Sequence, residues 1–193
     1  GNRMAQYWVT FKCGHEDRVS LSGPYKKRDY IMEQMKDELC PTCLAKQREE
    51  AAHKILLEDL RDGLPELKGT EKQVIWALQL RRNLRDMLKK LKDEYEMKSE
   101  EHMDEEDYVK AGRRFEKRID YGFECVKTLT KAEDYINNRE KVKGANIYRL
   151  NTKDEVRRTG MDIYLLCLAY GMPDREQEER LKRKAEREKA KNA

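Results

Sequence analysis

The chain has 193 residues, of which 41% are charged and 38% hydrophobic, with a formal net charge of +4 at pH 7. This length accommodates one ordinary domain or a small module joined to a second one. The composition suits helices with one apolar stripe, and the modest charge favours neither a strongly basic nucleic-acid binder nor an acidic DNA mimic. Because the sequence has no run of about 18 apolar residues and no basic-then-apolar leader, we expect a soluble, cytoplasmic protein.

The N-terminal residues predict a β-hairpin followed by a helix. Residues 6–12 and 18–22 alternate between apolar and polar types, and the turn between them contains Cys13 and His15. Gly23-Pro24 ends the second strand. A helix is then expected over residues 27–38, and its core-facing side chains would be Tyr30, Ile31, Met35 and Leu39.

A zinc site is indicated by a Cys-x-His pair followed, after 24 residues, by a Cys-x-x-Cys pair. The four predicted ligands are Cys13, His15, Cys40 and Cys43. Two cysteines at this spacing can bring both thiolates to about 2.3 Å from one Zn²⁺. Four protein ligands close the coordination sphere, so the predicted Zn²⁺ has a structural role. We expect it to supply much of the folding free energy of a module with little core.

The identity of the fourth ligand is less constrained than that of the three thiolates. His53 lies ten residues beyond Cys43 on the same predicted helix, about 15 Å along the axis, which is too far to reach the ion. His102 could approach only through tertiary contact. Cys125 and Cys167 lie among apolar neighbours and are expected to be buried as small hydrophobic side chains.

The remainder of the chain predicts helices with explicit start signals. A charged helix is expected from the Cys-x-x-Cys turn to about residue 60, and a linker then runs to residue 69. Capping-box patterns begin at Thr70, Thr130 and Thr152. The expected helices cover residues 71–92, 107–128, 131–140 and 153–170, and Gly171 suits the end of the last one.

The predicted fold class is mainly α, with a small zinc-binding hairpin and helix module preceding a helical domain. The expected segments are the module at 4–45, a helix and linker at 46–69, a helical domain at 70–172, and a charged tail, helical or disordered, at 173–193.

Three blocks of sequence resemble a family of zinc-finger-containing proteins from Gram-positive bacteria, their phages and mobile elements. They are FKCGHE at 11–16 with LCPTC at 39–43, LPELKGTEKQVIWA at 64–77, and KAEDYINNR at 131–139. Relatives in that family usually have Trp where Tyr135 stands. The resemblance implies the same zinc ligands and a mobile-element origin, and it implies no particular reaction.

We expect the protein not to be an enzyme. The sequence has no metalloprotease, nucleophile-elbow, phosphate-loop or dinucleotide-binding motif. Its three histidines, one of them a predicted metal ligand, leave few general bases near neutral pH. The acidic run at 104–107 is typical of a solvated segment before a helix N-terminus.

A basic helix over residues 68–92 is the predicted partner-binding surface. Its candidate residues are Lys72, Trp76, Arg81, Arg82, Arg85, Lys89 and Lys90. These cations could contact nucleic-acid phosphates, or they could pair with the acidic segment at 94–107. Trp76 could stack on a base or lie in the core, and the charged tail is a second, weaker candidate.

The expected function is that of a non-catalytic binding protein, encoded by a phage or mobile element. Its partner would be nucleic acid or a nucleoprotein complex. The alternative is a protein-binding inhibitor or adaptor aimed at a host defence or replication protein.

Overall fold

A two-stranded antiparallel hairpin precedes eight helices in the computed structural model, which describes residues 4–143 and 149–193. In chain order the elements are β1 Ala5–Thr10, β2 Glu16–Leu21, α1 Tyr25–Met35, α2 Pro41–Arg61, α3 Glu71–Glu101, α4 Glu106–Thr128, α5 Ala132–Asn137, α6 Arg139–Lys143, α7 Lys153–Ala169 and α8 Arg175–Lys191. This architecture confirms the predicted mainly α fold with an N-terminal hairpin. No helix in the described ranges has the length and apolar composition required to cross a membrane.

The chain divides into two units, which meet within α2 between residues 54 and 55. The predicted boundaries at 45, 69 and 172 remain predictions about domain organisation. Residues 144–148 of the predicted helical domain lie outside the described residues.

The first unit has a small core beneath the hairpin. Val9, Phe11 and Cys40 are buried together, and Met32 and Met35 of α1 pack against them. Tyr30 was expected to face this core, but its side chain is 64% exposed. Met32 and Met35 are three residues apart and share the core-facing side of α1, whereas Tyr30 lies about 140° around the helix from Met35.

Helix α3 is longer than its sequence pattern predicts. It begins with the predicted capping box, in which the Gln73 N–H donates to Thr70 Oγ1 at 3.2 Å and the Thr70 N–H donates to Gln73 Oε1 at 3.0 Å. It then continues beyond the expected end at residue 92 to Glu101. Tyr95, one turn after the buried Leu91, is itself buried and explains this extension, because its ring lies 5.1 Å from that of Phe115 in α4.

Helices α4 and α7 form the main packing contact of the second unit. Ile119 and Val126 of α4 and Ile163 of α7 are fully buried. Cys125 and Cys167 are also buried, as predicted. The hydrogen bond with Cys167 and the burial of the thiol both raise the pKa of Cys125, so this thiol is protonated at neutral pH.

Of the three predicted capping boxes, the one at Thr70 is complete and the one at Thr152 forms only its side-chain half. Thr152 Oγ1 accepts from the Glu155 N–H at 3.2 Å and caps α7. The prediction for Thr130 is wrong, because α5 begins after Lys131 and its side chains supply no cap. The Lys68 carbonyl instead accepts from the Ala132 N–H at 2.9 Å. A backbone carbonyl more than 60 positions away therefore accepts the N–H at the start of α5, in place of the predicted Thr130 side chain.

The helix expected over 131–140 is two short helices. Asn138 separates α5 from α6, and its Nδ2 donates to the Asp134 carbonyl at 2.9 Å, which satisfies an orphan acceptor at the end of α5. Helix α7 ends at Ala169, and Gly171 forms its C-terminal stop as predicted. That glycine has a φ of +93°, and the Met172 N–H donates to the Cys167 carbonyl at 3.1 Å in a Schellman motif.

We predict that Gly112→Ala destabilises the protein. A Cβ at this α4 position would overlap the Tyr95 ring, and overpacking of this kind costs about 1–3 kcal/mol. On an open helix surface the same change would stabilise by up to about 1 kcal/mol through helix propensity. Urea denaturation measures the difference, and the double variant Tyr95→Leu/Gly112→Ala should recover part of the loss. A Gly112→Ala variant as stable as the parent would contradict the packing.

Candidate metal centre and the basic face of α3

The hairpin loop brings Cys13 and His15 close together through its backbone. The Phe11 N–H donates to the His15 carbonyl at 2.9 Å, and the Gly14 N–H donates to the Phe11 carbonyl at 2.8 Å. Gly14 has a φ of +86°, a left-handed conformation that residues with a Cβ adopt rarely. The tight turn therefore depends on the glycine between the two ligands.

The Cys-x-x-Cys pair lies at the start of α2. Cys40 immediately precedes this helix, and its carbonyl accepts the Leu44 N–H at 2.9 Å. The Cys43 N–H points to Cys40 Sγ at 3.4 Å, and the Cys40 N–H points to Cys13 Sγ at 3.4 Å. These donors stabilise thiolate charge. The same contacts join the hairpin loop to the start of α2.

The ligand atoms of Cys13, His15, Cys40 and Cys43 all lie within 4.8 Å of one another. His15 Nδ1 is 3.2 Å from Cys43 Sγ and 3.5 Å from Cys40 Sγ. A tetrahedral ion bound at about 2.0 Å to nitrogen and 2.3 Å to sulfur has edges of roughly 3.5–3.8 Å. The four side chains therefore could hold one metal ion with little rearrangement. Among the described residues no other group of this kind occurs, and neither His53 nor His102 belongs to it.

The thiols of this cluster differ in acidity. Hydrogen bonds from the Cys40 and His15 amides lower the pKa of Cys13 to about 6, so that this thiol is largely ionised at neutral pH. The hydrogen bond with Cys40 and partial desolvation raise the pKa of Cys43 to about 11. Because a metal binds thiolates, loading of the site would displace the Cys43 proton. Metal affinity is therefore expected to fall on acidification.

Comparison of the chain with protein-family models, with curated proteins and with solved structures finds no match. The family resemblance carried by residues 11–16, 39–43, 64–77 and 131–139 therefore stays a prediction. The structure does bring the four predicted ligands of that resemblance together.

The basic face expected on α3 is largely neutralised. Arg81 is fully buried, its Nη2 donating to Asp59 Oδ2 at 3.1 Å and its Nη1 to the Pro65 carbonyl at 2.6 Å. Arg82 pairs with Glu58 at 2.8 Å and with Asp59 at 2.9 Å. Arg85 pairs with Asp62 at 2.8 Å. Arg81 is thus removed from any outer surface, and Arg82 and Arg85 already have anionic partners.

Of the acids that pair with these arginines, Glu58 and Asp59 lie in the last turn of α2, and Asp62 directly follows that helix. The sequence interpretation offered the segment at 94–107 instead, but most of that segment is the continuation of α3 and the first turn of α4. Residues on one helix cannot fold back onto earlier turns of the same helix. The sequence contains no local signal for Asp59, because it acts on residues more than 20 positions away.

The remaining predicted residues of α3 are exposed. Lys72, Lys89 and Lys90 are solvated. Trp76 is 47% exposed rather than in the core, and the Arg139 guanidinium lies 5.1 Å from its ring centroid. Lys72 and Lys89 are about 25 Å apart along the helix axis. These groups therefore do not form one concentrated cationic surface.

We predict that Cys40→Ser unfolds residues 4–45, because the residues buried around Val9 and Phe11 form too small a core to fold alone. Metal content by elemental analysis should fall from about one equivalent, and the melting transition of this unit should disappear. Cys125→Ala, which removes a buried thiol from the other unit, should leave the metal content unchanged. Unaltered melting of Cys40→Ser, with no metal in the parent, would refute the site.

The histidines provide a second control for the same prediction. Loss of an outer-shell partner typically lowers metal affinity by about 10–100-fold. Because His15 is a predicted direct ligand, His15→Ala should lower the affinity by more than this. His53→Ala should have no effect on affinity in a chelator competition assay. Equal effects of the two substitutions would remove His15 from the ligand set.

We predict that Asp59→Asn strongly destabilises the second unit. The Asp59 carboxylate is 1% exposed and accepts from two arginines, one of them Arg81, whose side chain is fully buried. Loss of one partner from such a pair costs about 3–5 kcal/mol. The matched control is Asp62→Asn, since Asp62 is 45% exposed and its ion pair contributes about 1 kcal/mol or less. Similar denaturation midpoints for the two variants would contradict the buried network.

Proposed function

We propose that the chain is a zinc-stabilised, non-catalytic binding protein that acts on nucleic acid. The observation that carries the zinc assignment is the convergence of Cys13, His15, Cys40 and Cys43. Four protein ligands fill a tetrahedral sphere and leave no position for a reacting water. The site therefore suits a structural ion.

The donor set favours zinc among the common metals. Three sulfurs and one imidazole nitrogen are soft and borderline ligands, whereas magnesium and calcium prefer oxygen. Structural zinc contributes on the order of 10 kcal/mol to small modules at pH 7. In the first unit this contribution would hold the hairpin against the start of α2.

The outer face of the hairpin supports nucleic acid as the partner. Trp8 and Arg18 are directly opposite each other in the strand register. The Trp8 side chain is 67% exposed, and the Arg18 guanidinium lies 5.3 Å from its ring centroid. Because the guanidinium lies over one face of the indole, a base would stack on the opposite face, and Arg18 adds a cation for phosphate contact.

A protein partner is the second candidate, and one observation favours it. In the first unit, about two-thirds of the surface of Tyr25, Tyr30 and Trp8 is exposed to solvent. Aromatic side chains of this kind are enriched at protein interfaces. The two candidates differ in their dependence on salt, because contacts with phosphates release bound counterions.

We predict measurable binding of the zinc-loaded protein to fluorescently labelled DNA and RNA at about 50 mM salt, with log affinity falling linearly as log salt concentration rises to about 200 mM. Fluorescence anisotropy gives the affinities. A zinc-depleted sample, verified by elemental analysis, serves as the control for the contribution of the first unit. No binding of either polymer at low salt would eliminate nucleic acid and leave the protein partner.

A further inference from the structure

A second basic surface lies between α4 and α8. These helices, with Tyr164 of α7, line a groove of about 490 Å³. Eight of its lining side chains are Lys or Arg, and four are Asp or Glu. The groove thus has a surplus of four positive charges, in a chain whose total net charge is only +4. Such local concentration of one charge sign attracts polyanions.

One end of the groove is fixed by ion pairs. Arg118 donates to both carboxylate oxygens of Glu176, at 3.0 and 2.9 Å. Arg175 donates to both oxygens of Glu124, at 2.7 and 2.6 Å. Bidentate pairs restrict the geometry of both partners. They hold the first turn of α8 against α4, so this end of the groove is preformed.

The surplus cations lie on α4, before the ion-paired end. Lys110, Arg113, Arg114 and Lys117 are exposed and occupy one face of the helix, because they are spaced by three, one and three residues. They extend over about 10 Å of helix axis. Within the described part of the chain, no carboxylate forms an ion pair with any of these four side chains. They are therefore available to an external anion.

The aromatic side chains of the groove are already engaged. Tyr121 donates to the Pro173 carbonyl and Tyr164 donates to Asp174. Both are nearly buried, at 7% and 6% exposure, and their ring centroids lie 5.8 Å apart. Neither ring can accept a stacked base without rearrangement. The groove therefore presents cationic side chains to a ligand but no aromatic ring on which a base could stack.

We propose that this groove binds the phosphate backbone of nucleic acid without reading the bases. The proposal depends on the proposed function for its choice of nucleic acid as the ligand. It assigns the main phosphate contacts to α4, whereas three arginines of the predicted α3 surface are neutralised by the acids at 58–62. Affinity is then independent of base sequence, since phosphate contacts carry none of that information directly.

The test compares two double variants with the same change in charge. Arg114→Ser/Lys117→Ser removes two groove cations, and Lys89→Ser/Lys90→Ser removes two exposed cations from α3. The slope of log affinity against log salt is negative for a duplex of mixed sequence. The groove variant should make this slope less steep by about two, since each lost phosphate contact reduces its magnitude by roughly one. We expect the α3 variant to retain the parental slope. Arg114→Lys/Lys117→Arg should also retain it, because both charges remain.

The outcomes separate this proposal from the function on which it depends. If the parent binds nucleic acid and the groove variant keeps the parental slope, the groove is not the site and the proposed function stands. An equal loss of slope in both variants would also overturn the assignment to the groove. If the parent binds no nucleic acid but binds polyglutamate, the ligand is an acidic polypeptide and both proposals fail. Matched circular dichroism and melting profiles exclude unfolding as the cause.

Discussion

The first unit depends on the approach of four side chains that lie in two distant parts of the sequence. Helix α1 ends at Met35, and the Glu38 carbonyl then accepts from the Lys12 N–H at 2.8 Å, which aligns the chain before α2 with the hairpin loop. The amide of Cys40 points to Cys13 Sγ. These backbone contacts bring the sulfurs and the imidazole to tetrahedral separations. A metal ion in that position would then compensate for a core of few residues.

The second unit shows how buried charge determines which cations are free. Asp59 is desolvated and therefore requires cationic partners, and it finds them in Arg81 and Arg82 of α3. This pairing stabilises the fold but removes charge from the helix that appears most basic in sequence. Helix α4 has fewer partners for its exposed cations, which is why Arg114 and Lys117 are better placed for an external anion than the arginines of α3.

Local interactions explain which sequence predictions were accurate. The capping box at Thr70 and the side-chain cap at Thr152 each involve residues three positions apart, so the local pattern was sufficient to predict both helix starts. The similar pattern at Thr130 forms no cap, and the Lys68 carbonyl accepts from the Ala132 N–H at that helix start instead. The predicted orientation of Tyr30 was wrong because Tyr30 precedes Met35 by five residues, which places it about 140° around the helix from the face that packs on the core.

The sequence by itself determined which four residues form the candidate metal cluster, the helical class and most helix starts. Each of these follows from spacing along the chain, through ligand geometry, hydrophobic periodicity or capping. The tertiary structure alone decided that Arg81 is buried against Asp59, that Trp76 is half exposed, and that α8 lies beside α4 to form a basic groove. Exposure and ion pairing depend on residues tens of positions apart, and no local sequence pattern predicts which of these residues will be in contact.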